Sequence, residues 1–490
     1  MPTLSKSTFL RGSQCLKSLY LHFHKPELKD PISSMQQAIF SQGHEVGKIA
    51  QQLFPGGTDA GIYVPDRYQL SIELTQELIA QGTAVIYEAG FSVDDLHCFV
   101  DILVRDGDSW KAFEVKSSTQ VKPVNLLDAA FQYHVMTKCG LHLSDISLIT
   151  LNTSYERTGD LNIRELFKTE SVLEPVLSLQ DKVEQAVEDF FFTLNSPIQP
   201  AIDIGPYCSD PYDCDFRSHC WQHIPEYSIF NISRLGADKK WELYRSGILK
   251  FEDIPEDFKL NVGQWQQVMA ELKGETHIDK TAVRNFTGGL KYPLYFLDFE
   301  SFQPAIPLFD HSHPYQQIVF QYSLHILESE HAPTQHFAFL ADADGTDPRP
   351  DFIQKLIRDI GITGDILVYN RSFEASRLKE IAAAFPNFKF SISNIVSRMK
   401  DLMDIFQKRR YYVPEMQGSF SIKQVLPALV PGFSYKDLSI NDGGSASLAF
   451  TTMLGEKDPE KITETRNNLL EYCKLDTLAM VEILKVLMNG

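Results

Sequence analysis

Asp101, Glu114 and Lys116 are the residues whose types and spacing first indicate chemistry. Asp101 lies at the centre of the apolar stretch FVDILV, where burying an unpaired carboxylate would be costly. Glu114 and Lys116 are two residues apart in AFEVKSS, so strand alternation places both on one face. Two carboxylates can hold Mg²⁺ or Mn²⁺, which activates water beside a phosphate, and a lysine can orient the nucleophile. The set suits metal-dependent phosphodiester cleavage; the alternative is a strand with surface charges and one salt bridge.

Three flanking residues extend this first candidate site. His44, in SQGHEVGKIA, lies on a predicted helix and is a candidate metal ligand, unless it is an ordinary helix-face histidine. Glu88, in IYEAGF, lies just upstream of the triplet. Gln132, in AAFQYHVM, lies on the helix predicted after the triplet, where it could contact the active strand or substrate.

A second acidic pattern lies in the C-terminal half of the chain. Asp298 and Glu300 share one face of the otherwise apolar strand LYFLDFESF. Tyr472 and Asp476 are four residues apart in LLEYCKLDTLAMVEIL, so both point the same way from a predicted helix. The alternative is that the pair consists of ordinary helix residues and that DFE is only a strand end.

Cysteines form a third pattern. Four thiolates could hold a metal cluster that pins the N-terminal helix to the end of its domain, or a tetrahedral Zn²⁺ ion. The four are one near the N-terminus and three in CSDPYDCDFRSHC: Cys15, Cys208, Cys214 and Cys220. Seven cysteines in 490 residues do not make a disulfide framework. The other three lie in apolar segments and are expected to be buried free thiols: Cys98, Cys139 and Cys473.

Candidate substrate contacts lie in two loops. Arg409 and Arg410 precede two tyrosines in RRYYVPEMQGSF, and basic residues beside aromatic ones suit single strands through phosphate contacts and base stacking. The alternative is a loop with two exposed arginines. Asn370, just past a predicted strand in DILVYNRSFE, is a further candidate.

The elements that must position these residues form an α/β pattern in both halves of the chain. Helices surround the predicted strands AVIYEAGFSV, LHCFVDILVRD and WKAFEVKSS in the first half, and YPLYFLDFE, IVFQYSLHIL and DILVYN in the second. A single helix is expected at STFLRGSQCLKSLYLHFH. We expect an N-terminal domain over residues 1–225, a helical connector over 226–290 and a C-terminal domain over 291–490.

Size and composition limit the class of protein. A chain of 490 residues exceeds one ordinary core, so two or three domains are expected. No run approaches the roughly 20 apolar residues that span a bilayer, and the N-terminus has no signal-peptide pattern, so we expect a cytoplasmic protein without a membrane partner. The net charge of −18 argues against a broad DNA-coating surface without excluding a nuclease.

Over residues 5–222 the order of motifs resembles RecB/AddB-type PD-(D/E)xK nucleases, and is most similar to the CRISPR-associated four-cysteine nucleases. The motifs are GHEVG, EAGF, DIL, EVK, the glutamine helix and the cysteine array. The resemblance implies a restriction-endonuclease-like fold in which Asp101 and Glu114 bind metal, Lys116 is catalytic and His44 completes the metal site. It also implies a [4Fe–4S] cluster on the four cysteines, which we expect rather than zinc, although the C-x5-C step is wider than the family's usual C-x2-C.

The C-terminal pattern resembles the DEDDy branch of DnaQ-like 3′–5′ exonucleases, on an RNase H-like fold. In that family a D-x-E pair and two later acids hold two metal ions, and a tyrosine orients the attacking water. The resemblance carries these roles to Asp298, Glu300, Asp476 and Tyr472. The whole layout resembles a bacterial family with both parts in one chain.

The middle acid of this second site departs from the family pattern. The family's N-x-x-F-D appears here as NRSFE, so Glu374 replaces an aspartate as metal ligand. Asp401 and Asp404, in KDLMDIF, are alternative donors.

These patterns lead to one functional expectation and one alternative. We expect a metal-dependent nuclease in DNA repair, recombination or defence, acting on DNA rather than RNA, at single strands or ends. The alternative is a catalytically silent nucleic-acid-binding or scaffold protein with a structural metal site. No G-x-x-x-x-G-K-[ST] run is present, so unwinding a duplex would need a helicase partner.

Overall fold

The computed structural model describes residues 2–62, 68–436 and 438–489. The chain forms two compact units. Unit 1 comprises Met1–His223 with Pro304–Gln316, and unit 2 comprises Ile224–Gln303 with Gln317–Gly490. Both mix helices with sheet, which confirms the expected α/β class. Residues 226–290, expected as a connector, belong to unit 2.

Unit 1 is built on one mixed seven-stranded sheet. Its strands are Leu4–Ser5 (β1), Thr58–Asp59 (β2), Val85–Val93 (β3), Leu96–Asp106 (β4), Ser109–Val115 (β5), Leu143–Leu151 (β6) and Phe167–Ser171 (β7). The order is β2-β3-β4-β5-β6-β7, and the short β1 pairs with β4. Strands β3 to β5 run antiparallel, and β6 lies parallel to β5. Gly107, at a φ of +62°, makes the turn that brings β5 back beside β4.

Helices cover this sheet. They are Lys6–Gln14 (α1), Leu16–His24 (α2), Ser34–Ala50 (α3), Tyr68–Ala80 (α4), Pro123–Lys138 (α5), Ile163–Leu166 (α6), Leu173–Ser178 (α7), Gln180–Asn195 (α8) and Arg217–Cys220 (α9). Phe9 on α1 packs between Phe131 on α5 and Phe190 on α8, with ring centroids 4.5 Å and 5.4 Å away. Burying one such ring contributes about 1.5–3 kcal/mol, so these contacts hold α1 firmly in the core.

The segment Pro304–Gln316 completes a second core region of unit 1. Ala305 and Ile306 are buried in one cluster with Val46 and Ile102. The backbone of this segment also exchanges two hydrogen bonds with Arg157, at 3.0 Å and 2.9 Å. A piece of chain inserted between two strands of unit 2 is therefore an integral part of unit 1.

Unit 2 contains a five-stranded mixed sheet and a separate strand pair. Its strands are His277–Ile278 (β8), Leu294–Phe302 (β9), Ile318–Leu327 (β10), Gln335–Leu340 (β11), Asp365–Val368 (β12), Met399–Asp401 (β13) and Tyr411–Tyr412 (β14). The large sheet has the order β11-β10-β9-β12-β13. β9 is antiparallel to β10 and parallel to β12, so it lies where the sheet changes from antiparallel to parallel pairing.

Ten helices described in unit 2 surround these strands. They are Ala237–Arg245 (α10), Val262–Lys273 (α11), Lys280–Gly288 (α12), Pro348–Asp359 (α13), Arg371–Ala384 (α14), Lys389–Arg398 (α15), Met403–Gln407 (α16), Ile422–Leu429 (α17), Gly443–Met453 (α18) and Pro459–Asn489 (α19). α19 packs along β9 and β10, and α17 and α18 pack on α19. Among the described residues, no helix has the length and apolar character needed to cross a membrane.

Candidate active sites and metal centres

In unit 1, Asp101 and Glu114 face each other across the β4–β5 pair. Ile102 is opposite Phe113 in the register, which places the two acids beside each other. The backbone N–H of Val115 donates to Asp101 Oδ2 at 2.6 Å. Burial, with a further contribution from the Glu114 carboxylate, raises the pKa of Asp101 to about 8.

Glu114 is the centre of this site. It is 2% exposed. Its Oε1 accepts hydrogen bonds from Lys6 Nζ at 2.6 Å and Lys116 Nζ at 2.7 Å, and its Oε2 accepts one from Gln132 Nε2 at 2.9 Å. Burial acts to raise the pKa of Glu114, but the Lys116 and Lys6 ammonium groups outweigh it and hold that pKa at about 2. Glu114 is therefore ionised, and Gln132 contacts this residue of β5 from a fully buried position.

Two residues of this network, Lys6 and Asp128, were missed by sequence reasoning. Asp128 is buried, pairs with Lys116, and accepts a hydrogen bond from Gln132 Nε2 at 3.2 Å. It precedes Gln132 by one helical turn, so the i, i+4 spacing was a usable signal. Lys6 reaches the site because β1 pairs with β4, a contact between distant parts of the chain that no local pattern indicates.

The structure does not gather His44, Asp101 and Glu114 into one compact ligand set. His44 is exposed on α3, with Nδ1 2.8 Å from the Phe40 carbonyl oxygen. No three His, Cys, Asp or Glu ligand atoms described in unit 1 lie within 4.8 Å of one another. Glu88 has a positive φ of 53°, and burial, followed by the charges of Asp59 and Glu114, raises its pKa to about 7.

In unit 2, Asp298, Glu300 and Cys473 form a compact group. Their ligand atoms lie within 4.8 Å of one another, and they are the one such group of three found among the described residues. Asp298 and Glu300 come from β9, and Cys473 comes from α19 with its Sγ 3.5 Å from Asp298 Oδ2. This group fits a divalent cation by donor type and spacing.

Asp476 lies one helical turn after Tyr472 and joins this acidic site. Its Oδ1 accepts a hydrogen bond from the Tyr435 hydroxyl at 2.7 Å. Burial raises the pKa of Asp476 to about 6. Burial, together with Asp476, raises the pKa of Asp298 well above its usual value, and burial with Asp298 does the same for Glu300.

Glu374 is the fourth acid, contributed by α14. It is 1% exposed, and its Oε2 has no hydrogen-bond partner. Burial, followed by the charge of Asp298, raises the pKa of Glu374 well above its usual value, so the two carboxyls are close enough to interact. The alternative donors have other roles: Asp401 accepts backbone N–H bonds from Asn370 and Arg371, and Asp404 pairs with Lys408 at 2.6 Å.

Aromatic and basic groups border the unit 2 site. Tyr472 is 3% exposed, and burial raises its pKa well above the usual value, so its hydroxyl stays protonated. The Lys423 ammonium lies 5.0 Å from the centre of the Tyr472 ring and 5.7 Å from that of Tyr435. Lys423, in α17, and Tyr435, in a loop, were missed because they lie far along the chain from the acids that they border.

The substrate candidates differ in how accessible they are. Asn370 is exposed at a φ of +84°. Arg409 is half-buried, with its guanidinium 4.2 Å from the Tyr412 ring centre and 3.1 Å from Gln267 Oε1. Arg409 and the half-buried Arg410 both line a surface groove together with Trp265. All three remain candidates for contact with a substrate.

The four cysteines of unit 1 line one small cavity: Cys15, Cys208, Cys214 and Cys220. All are free thiols. The structure therefore brings together, at one cavity, the four cysteines that the sequence suggests as ligands of a cluster or of zinc.

The remaining cysteines divide into two kinds. Cys98 and Cys473 are buried, as expected. Cys139 is exposed, so the expectation of a buried thiol was wrong: it caps the C-terminal end of α5 instead of pointing into the core.

Comparison with known proteins gives one family that matches part of the C-terminal half of the chain, and several bacterial relatives. The family described as "Domain of unknown function (DUF2779)" matches residues 295–421, which contain Asp298, Glu300 and Glu374. The chain is 30% identical over 217 residues to the uncharacterized protein UU173 of Ureaplasma parvum, which covers 40% of this chain and 31% of that protein. It is 29% identical over 211 residues to an uncharacterized Mycoplasma pneumoniae protein, covering 40% of this chain and 32% of the relative. The chain thus spans about a third of the length of these relatives.

Proposed function

We propose that the protein is a metal-dependent nuclease that removes nucleotides from DNA ends at the acidic site of unit 2. One observation carries the proposal. Three buried acids, Glu300, Glu374 and Asp476, converge there with the half-buried Asp298, and among the described residues none of the four forms an ion pair with a basic side chain. Unpaired buried carboxylates are costly, which is reasonable if a cation neutralises them in the working protein.

The residues of the site have complementary tasks in this proposal. Bound divalent cations would supply the charge that activates water and stabilises the entering and leaving oxygens. Asp298 and Glu300 would hold a cation from β9, and Asp476 and Glu374 would complete the acidic shell. The neutral Tyr472 hydroxyl would orient the attacking water, and the Tyr435 hydroxyl fixes Asp476. The RNase H-like fold belongs to this proposal, supported by the position of β9 in the mixed sheet.

For unit 1 we propose a restriction-endonuclease-like nuclease core with a [4Fe–4S] cluster on its four cysteines. The pairing of Asp101 with Glu114 and the contact of Lys116 with Glu114 support it. The second candidate for this unit is nucleic-acid binding without cleavage. Glu114 favours this second candidate, because the Lys6 and Lys116 ammonium groups already neutralise the carboxylate that would otherwise hold a cation.

The first test replaces Glu300 by Gln. Degradation of end-labelled single-stranded DNA with Mn²⁺ should fall by at least about 100-fold, the upper end of what losing an outer-shell partner of a metal costs. Glu330→Gln, at an exposed glutamate of the same unit, is the matched control and should retain wild-type activity.

Comparing 3′-blocked with 5′-blocked strands in the same assay gives the polarity, and Glu114→Gln isolates unit 1. If Glu300→Gln degrades DNA as fast as Glu330→Gln, the unit 2 site is not the nuclease.

A further inference from the structure

We infer that Cys473 is a ligand of the unit 2 cation, so that this site selects a borderline cation such as Co²⁺ or Zn²⁺ over Mg²⁺. The inference rests on the proposed metal centre of unit 2 and goes beyond it by assigning a sulfur donor. It also replaces the sequence-based expectation that Cys473 is an inert apolar thiol.

The position of the thiol carries this assignment. Cys473 is fully buried, yet its Sγ lies against a carboxylate, 3.5 Å from Asp298 Oδ2, and not among apolar side chains alone. Its Sγ is also within 4.8 Å of a Glu300 oxygen. Tyr472 precedes it directly and Asp476 follows three residues later on the same helix, so α19 presents the sulfur to the acids.

A second feature, independent of the thiol, is a carboxylate oxygen of Glu374 that has no hydrogen-bond partner beside the acidic site. Glu374 is 1% exposed and its Oε2 makes no hydrogen bond, while Asp298 is the charge that most affects it. A buried carboxylate oxygen without a partner is rare in folded proteins. A cation beside Asp298 would satisfy this oxygen and the thiol in one step.

The chemistry of the donors predicts the selectivity. Mg²⁺ prefers oxygen ligands and binds sulfur poorly, whereas Co²⁺ and Zn²⁺ accept carboxylate and thiolate together. When the cation binds, the thiol proton leaves to solvent and a metal–sulfur bond replaces the S–H bond. A site with oxygen donors alone would lack this preference.

The experiment is a Co²⁺ titration of the full-length protein followed by absorption difference spectra. Wild type should develop a near-ultraviolet thiolate-to-cobalt charge-transfer band that Cys473→Ser and Cys473→Ala both lack. Cys98→Ala, at the buried thiol of unit 1, is the matched control and should keep the band. Absorbance from Co²⁺ in the four-cysteine cavity is common to all of these proteins, so the test is the difference between wild type and each Cys473 variant.

Affinities separate a ligand from a packing residue. Cys473→Ser should lower the affinity for Co²⁺ by at least about 10-fold, the lower end of the range for disturbed metal sites, while the affinity for Mg²⁺ changes much less. Equal loss of both affinities, or a band of wild-type intensity in both variants, would overturn the inference.

The result is separable from the nuclease proposal. A Cys473-dependent band in a protein that does not degrade DNA would leave the inference standing and refute the nuclease assignment. Mn²⁺-dependent degradation by a protein without the band would do the reverse.

Discussion

At the residue scale, the unit 2 site concentrates negative charge where water cannot screen it. Asp476 shows the consequence for stability. Its pKa is raised to about 6, so the folded metal-free protein prefers the protonated carboxyl. The contribution of Asp476 to the free energy of unfolding is fully present below pH 3.8, the pKa that this carboxyl has in the unfolded chain. It is lost as the pH rises through the folded pKa of about 6.

Asp476→Asn should therefore stabilise the metal-free protein at neutral pH. Raising this pKa from its usual 3.8 to about 6 corresponds to about 3 kcal/mol at most, and the gain should vanish near pH 4, where wild-type Asp476 is protonated. Thermal unfolding in EDTA at about pH 4 and about pH 8 measures it. Asp351→Asn, at an exposed aspartate of α13, should show no such gain. A variant less stable than wild type at both pH values would refute the argument.

Lys6 provides the opposite case in unit 1, a buried acid with its counter-charge in place. Lys6→Met removes one of two ammonium groups from Glu114 and should cost about 1–3 kcal/mol of unfolding free energy. Lys111→Met, in the exposed pair with Asp106, should cost less than about 1 kcal/mol. Urea unfolding of both variants gives the comparison, and equal costs would mean that Lys6 does not hold Glu114.

The residues that could be predicted are those whose signal is local. Strand alternation identified Asp298 and Glu300, and helical spacing identified Asp476, because neighbouring residues share one surface. Lys6 and Tyr435 reach their acids through contacts over 100 and 40 residues of chain respectively, so no local spacing could indicate them. Their carboxylate partners were visible in the sequence, but their own positions depend on the fold.

At the element scale, most strands and helices lie where their periodicity indicates. LHCFVDILVRD forms β4 and IVFQYSLHIL forms β10 with the expected bounds. The N-terminal helix is the exception, because it is broken at Cys15, where the backbone is extended with a φ of −162°. This break places Cys15 at a junction of α1 and α2, lining the cavity of the other three cysteines.

Cys15→Ser should remove the cluster and loosen both helices. We expect anaerobically purified wild type to be brown and to contain iron, and the variant to lose most of its iron. Hydrogen exchange should become faster in α1 and α2, because a metal site that closes a loop of nearly 200 residues contributes to folding. Cys139→Ser, at the exposed thiol of the same unit, is the control. Full iron content in Cys15→Ser would exclude this cysteine as a ligand.

At the scale of the whole molecule, the chain leaves unit 2 after β9 and contributes Pro304–Gln316 to unit 1. No sequence pattern indicates that this segment belongs to unit 1, because PAIPLF has the composition of an ordinary loop between two strands. Ile306 should consequently behave as a core residue of unit 1.

Ile306→Ala should destabilise unit 1 by about 2–5 kcal/mol, the range for emptying a buried isoleucine site. Leu308→Ala, two residues later and 40% exposed, should cost less than about 1 kcal/mol. Hydrogen exchange locates the effect: protection should fall in β4 and β5 in the first variant only. Protection lost only in β9 and β10 would contradict the assignment of this segment to unit 1.

The inserted segment Pro304–Gln316 also determines when unit 1 can complete its core during synthesis. Domains usually fold from the N-terminus as they leave the ribosome. Here the core around Val46 and Ile102 is incomplete until residue 306 has emerged, when β9, with Asp298 and Glu300, has already been made. The core of unit 1 therefore stays incomplete while roughly 80 residues that belong to unit 2 are synthesised. A nascent chain stalled before residue 306 is the form most exposed to chaperones and proteases.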